Sequence, residues 1–311
     1  MTTALGKNSA LMLSKAAIAV TDGVDLISES LTNEMRPYEG DAEALWGDRE
    51  LDVADQVIVA EAPAGSFTYR PRYTDLSLLF ELALGAGDDD AWTPLTTGAI
   101  AAFYIEVQKA GVHSETYTGA KINELTLRSE QNNALTAEAN IIAASAAEAD
   151  PPTVPTYDGI GGVAPIMHND LVITGDAGLT GLKPFSVQWH FMNNLNDDGF
   201  ANTKNRQFIE AEGFDADMEV ELNLDSALAG YINTWYTTNP KTPLEIIATY
   251  TSGDYSLTIT FRGVITTPPP TISAPGKQRY TLGLSGRATK TGTPYAITEN
   301  MVSVVVDDTG E

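Results

Sequence analysis

The chain contains no cysteine, an absence that removes disulfides, thiolate nucleophiles and Cys-ligated zinc together. Positive charge is scarce: 18 Lys and Arg stand against 42 Asp and Glu, a formal net charge of −24. That excess of acid repels phosphate, so a protein that grips nucleic acid through Lys and Arg is excluded. Long apolar runs are missing too. The most apolar N-terminal stretch, residues 11–20, is interrupted by Lys15 and is too short to span a membrane, and no leader cleavage pattern follows it. Neither secretion nor membrane insertion is expected, although acidity of this kind also arises in salt-rich habitats.

What is present is apolar material for a core. The 311 residues are 43% hydrophobic, enough for a globular chain of two ordinary domains. Residues 1–65 show weak periodicity and turn signals at Asp22-Gly23, Arg36-Pro37 and Glu39-Gly40, and are read as an arm plus a long loop. Between Tyr73 and Leu84, the spacing of Leu76, Leu79, Phe80 and Ala83 predicts a short amphipathic helix that Gly85 ends. Strand patterns follow, and Leu135, Ala137, Ala139 and Ile141 alternate with polar residues that include Glu138.

Residues 146–165 turn rich in Ala, Pro and Gly and mark a domain boundary. Beyond it, Val187, Trp189 and Phe191 alternate with polar residues, as do Val220 and Leu222 with Glu219 and Glu221. Ser226 then caps a second helix with Leu228, Ile232 and Trp235 on one side. Each half thus runs through strands, one helix, and further strands around a Gly-centred bend, at Gly119 in the first half and Gly263 in the second. The expected fold is mainly β: two tandem β-sandwich or barrel domains, each with one flanking α-helix. The expected boundaries are an arm at 1–65, a first core at 66–146, a linker at 147–165 and a second domain at 166–311.

A search for chemistry finds no site. His113, His168 and His190 lack partners at ligand spacing and are read as surface histidines. The run Asn194 to Gly199 opens like a calcium loop, but Asn205 stands where a bidentate Glu is required. Gly276-Lys277 lacks the opening glycine and the hydroxyl residue of a phosphate loop. Trp189, Tyr231, Trp235, Tyr236, Tyr250 and Tyr255 fall on or beside apolar faces and read as core before they read as a sugar-stacking platform. No catalytic residue, cofactor or metal is expected.

Certain segments resemble the tail tube (major tail) proteins of bacteriophages with long, non-contractile tails. They are Leu5-Gly6-Lys7-Asn8, residues 26–31, Gly47-Asp48-Arg49, Tyr104-Ile105-Glu106, and the stretch from Tyr117 to Leu127 with its bend at Gly119. The resemblance implies a structural virion protein whose sandwich subunits pair edge strands into rings. Stacked rings then make a hollow tube around a tape-measure protein, and genomic DNA passes down the bore. It also implies contacts with terminator and distal tail proteins. The doubled pattern departs from one sandwich per subunit and points to three chains in a pseudo-sixfold ring, with a hexamer as the other arrangement. Glu138, Glu219 and Glu221 are the candidate lumen-facing acids; a solvated outer face is the plainer alternative for them. The competing function is an acidic surface module that binds carbohydrate, and a third is an acidic enzyme assembled from distant residues.

Overall fold

Period-two burial governs most of the chain. In Ser186–Met192 and Asp215–Leu224 every second side chain is buried and the intervening ones reach solvent. The computed structural model describes residues 10–16, 18, 23–37, 58–85, 91–94, 100–109, 113–149, 164–175, 182–197, 199–200, 203–224, 226–237, 244–269, 278–287 and 302–307. The first half comprises β1 (Ala10–Ser14), β2 (Gly23–Glu29), β3 (Thr32–Pro37), β4 (Ile58–Arg70), α1 (Tyr73–Leu84), β5 (Ala91–Trp92), β6 (Phe103–Lys109), β7 (His113–Glu130), β8 (Thr136–Ile142) and β9 (Ser145–Ala149). The second half comprises β10 (Leu171–Gly175), β11 (Ser186–Met192), β12 (Asp215–Leu224), α2 (Ser226–Thr237), β13 (Leu244–Ser252), β14 (Tyr255–Ile265), β15 (Gln278–Arg287) and β16 (Val302–Asp307).

The pairing scheme occurs twice. In the first half an antiparallel circuit runs β6-β7-β8-β4-β2-β1 and back to β6. In the second half β13-β14-β15-β12-β11 follow in the same sense, and β10 returns to β13. A single bridge, Ile173↔Leu182, completes this second circuit where Leu11↔Val24 joins β1 to β2 in the first. The register repeats as well. One constant sequence offset carries Val24 to Leu182 and Thr32, opposite Ala64, to His190, opposite Asp217. A second constant offset carries Phe67 to Val220, Tyr69 to Leu222, and the first residue of α1, Tyr73, to that of α2, Ser226. The mainly β fold anticipated from the alternation is what the chain adopts, with two α-helices among the described residues.

Both long strands pass from one wall of their barrel to the other at a glycine. β7 pairs β9 up to Thr118 and β8 from Lys121, and Gly119 between them has φ +62. An L side chain is strained there, and a Cβ would meet the Ala144 Cβ at 2.9 Å. β14 pairs β16 up to Phe261 and β15 from Val264. At Gly263 the constraint is space, since a Cβ would lie 2.8 Å from the Phe261 ring and 3.0 Å from Ser285 O.

The arm expected over residues 1–65 is corrected. β1, β2, β3 and the start of β4 lie in this stretch, and Ala10, Leu11, Met12 and Leu13 are buried. They escape notice as strands because a short strand buried on both faces reads as a continuous apolar run without alternation. The linker expected at 147–165 begins inside β9, whose last residue is Ala149. Residues 1–9, 38–57 and 150–163 lie outside the described residues, as does Gly276-Lys277. His168 is also corrected: it is buried, with Nδ1 2.9 Å from Ser129 Oγ and Nε2 donating to Pro184 O at 3.0 Å.

The core runs through both halves. Leu76, Leu79 and Phe80 of α1 are buried, as are Leu228, Ile232 and Trp235 of α2; a fully buried side chain of this kind contributes roughly 1.5–3 kcal/mol. α1 packs on β7 of its own half and on β14 and β16 of the other, with Tyr73 stacked on Tyr255 at 5.7 Å. Trp189 and Tyr250 meet edge-on in the core, and Tyr231, Tyr236 and Tyr255 pack against it. Burial pushes the Tyr73 hydroxyl up to about 12 and raises Tyr69, Tyr117 and Tyr250 as well. A raised acid pKa favours folding below the unfolded value and loses that contribution above it. Stability should therefore fall between pH 10 and about 12. Tyrosinate absorbance should appear together with loss of circular dichroism, whereas full tyrosine ionisation in a still-folded chain would contradict this.

Candidate functional site

One wall of each barrel joins the other into a single surface. β3, continuing the end of β2, pairs β4; β4 pairs β8; β8 pairs the second half of β7; and β7 pairs β11 from Glu124↔Met192 to Glu130↔Ser186. β11 then pairs β12, β12 pairs β15, and β15 takes the end of β14 at Val264 and Ile265. The result is an uninterrupted run of strands across the whole chain. Its buried face carries Leu125, Leu127, Ala137, Ala139, Val187, Trp189, Met218 and Val220.

The opposite face is open and acidic. Rows of cross-strand neighbours read Ser66, Asn140, Glu124, Met192 and Asp215, then Thr68, Glu138, Thr126, His190 and Asp217, then Thr136, Arg128, Gln188 and Glu219, then Glu130, Ser186, Glu221 and Thr281. The three acids singled out by pattern, Glu138 of β8 and Glu219 and Glu221 of β12, thus come from two strands onto one face. Glu124, Glu130, Asp215 and Asp217 join them. Two cations of this face are engaged sideways: Arg279 Nη1 lies 3.2 Å from Glu221 Oε1 with its guanidinium over the Phe185 ring, and Arg128 holds Gln188 Oε1 at 3.0 and 3.2 Å. His190 Nε2 lies 3.9 Å from Glu124. Exposed pairs of this kind add little stability, but the field they leave is negative.

Side chains that sequence pattern does not mark hold the seam between the halves. Asn193 is buried, and its Nδ2 donates to Ala83 O at 2.8 Å and Ile122 O at 2.9 Å. Lys121 Nζ donates to Ile209 O at 2.6 Å; burial pulls this amine below the usual lysine range, with Glu210 opposing. Arg206 is buried and donates from Nη1 to Pro63 O at 2.8 Å and Ala143 O at 3.1 Å. The chain between β11 and β12 is thereby strapped onto the first barrel. These partners are backbone carbonyls brought together by topology, so no motif could reveal them.

Among the described residues no group of three or more His, Asp or Glu is placed to hold a metal ion, and no helix is long and apolar enough to cross a membrane. A cleft of about 430 Å³ is lined, among the described residues, by Asn196, Gly199, Phe208 and Glu210, which pair no nucleophile with a base. Residues 8–288 match the model of the phage tail tube protein family. The chain belongs to that family. No curated protein matches it. Membership makes it a structural tail tube protein, a component of the phage particle, in agreement with the resemblance seen in the strand around Gly119.

Replacing Asn193 by Ala should cost about 1–3 kcal/mol in urea unfolding, because two buried carbonyls lose their donor. A change within about 0.5 kcal/mol would show that the amide does not hold the seam.

Proposed function

We propose that this tail tube protein assembles into stacked rings whose bore is lined by the acidic face of the continuous sheet, and that genomic DNA slides through that bore without being held. The observation that carries the proposal is the joining of both barrel walls by the β7-β11 ladder, with all three pattern-selected acids on its open side. Repulsion between carboxylates and phosphate keeps a duplex centred and mobile.

Strand spacing sets the ring size. The wall occupies eight strand positions per chain, namely β3, β4, β8, β7, β11, β12, β15 and the end of β14. At about 4.8 Å per strand and a barrel tilt up to about 40°, three chains give a backbone diameter of roughly 37–48 Å. Inward side chains remove about 10 Å, leaving room for a duplex about 20 Å wide and its water. Two chains would leave roughly 14–22 Å, and six would open the backbone beyond about 70 Å. Three chains, carrying six repeats, is the arrangement that fits. Such a tube belongs to a long, non-contractile tail, encloses a tape-measure protein, meets terminator and distal tail proteins at its ends, and is made in the host cytoplasm.

The purified protein at high concentration should show rings or tubes in negative-stain microscopy. A strictly monomeric species at every concentration, together with affinity for a glycan, would contradict the proposal and favour a carbohydrate-binding module. Tubes carrying Glu138→Lys, Glu219→Lys and Glu221→Lys together should retain added DNA at low salt and release it at high salt, while parent tubes retain none. Equal DNA retention by both would remove these acids from the bore.

A further inference from the structure

The internal repeat specifies more than ring formation: it identifies which edges meet between chains. β11 is the counterpart of the end of β2 and β3, because the offset that carries Val24 to Leu182 and Thr32 to His190 also carries Glu34 to Met192 and Met35 to Asn193. Within the chain, β11 and Asn193 close the seam against β7. β3 pairs only β4 among the described residues and forms one end of the strand order.

The end of β14, at the opposite limit of the shared wall, carries the matching edge. Ile265↔Leu284 is the counterpart of Ile122↔Ile141, which makes Val264 the counterpart of Lys121. The chain then continues along β15 as β7 does along β8, with Thr266 N–H donating to Gly283 O at 2.9 Å, the place Glu124 takes opposite Asn140. Inside the chain the corresponding edge of β7 is covered by β11. Pro268 and Pro269 follow, and prolines on an edge deter indiscriminate pairing.

Side-chain exposure agrees with this match independently of the ladder. Met35 is 55% exposed and Val264 is 43% exposed, both among the exposed large hydrophobic residues of the chain. Their counterparts Asn193 and Lys121 are the residues that bridge the internal seam. Two apolar side chains left in water at the two positions a repeated seam would bury mark the two halves of one interface.

We propose that a second copy of this chain docks its β3 edge on the end of β14, with Glu34 opposite Thr266 and Met35 covering Val264. The joint between chains is thus a copy of the joint between halves, with polar bridges replaced by an apolar contact. This rests on the ring-building function proposed above.

The absence of native cysteine makes cross-linking clean. Tubes of the Glu34→Cys/Thr266→Cys double variant, oxidised and run without reductant, should give covalent multimers that end at the number of chains in one ring and collapse to monomer with thiol. Each single variant, and a Glu34→Cys/Val172→Cys control that puts the second thiol on exposed β10, should stay monomeric. Met35→Asp should keep its circular dichroism and melting temperature but remain monomeric in light scattering. Rings or tubes of the double variant that yield only monomer on the gel would overturn the seam while leaving the ring function intact, as would equal cross-linking of the control or normal assembly of Met35→Asp. A parent protein that never assembles would overturn both.

Discussion

The ladder between β7 and β11 is the joint on which the rest of the molecule depends. Each barrel closes its own circuit of backbone hydrogen bonds, yet β7 is long enough to serve two neighbours on one edge: β6 up to Ala120 and β11 from Glu124. That division requires the strand to turn from one wall to the other, and Gly119 with its positive φ allows the turn. The outcome is one wall shared by two barrels. Through it the acidic face of one barrel continues into that of the other without a break.

Two kinds of force are assigned to two faces of that wall. Burial of Trp189, Leu125, Leu127 and their neighbours supplies the stabilisation and fixes register, because a one-residue slip would bring carboxylates into the core. The carboxylates outside add nothing comparable to folding. They set a negative field on the open face. The buried amide and guanidinium at the seam, Asn193 and Arg206, spend their donors on backbone carbonyls where the two barrels meet.

Much of this was legible before any coordinates. The apolar spacing of Leu76, Leu79 and Phe80 places α1 between the residues where it lies, and the alternation through Trp189 and Val220 defines β11 and β12. The order of elements around Gly119 and Gly263 exposes the repetition. Residues 10–37 were not legible, because β1 is buried on both faces and β2 and β3 are short strands at a register shift. The sequence pattern around His168 reads as a surface group, since its partners Ser129 and Pro184 are far away in the chain or not recognisable as acceptors. The seam was invisible for the same reason: a carbonyl has no identity in sequence.

The central claim is that the shared wall is the inner wall of a ring built from three copies. Electron cryo-microscopy of assembled tubes at side-chain resolution tests it most directly. The account predicts three chains per ring in near-sixfold arrangement, with Glu138, Glu219 and Glu221 pointing into the bore. A ring of six chains, or those carboxylates on the outer surface of the tube, would contradict it.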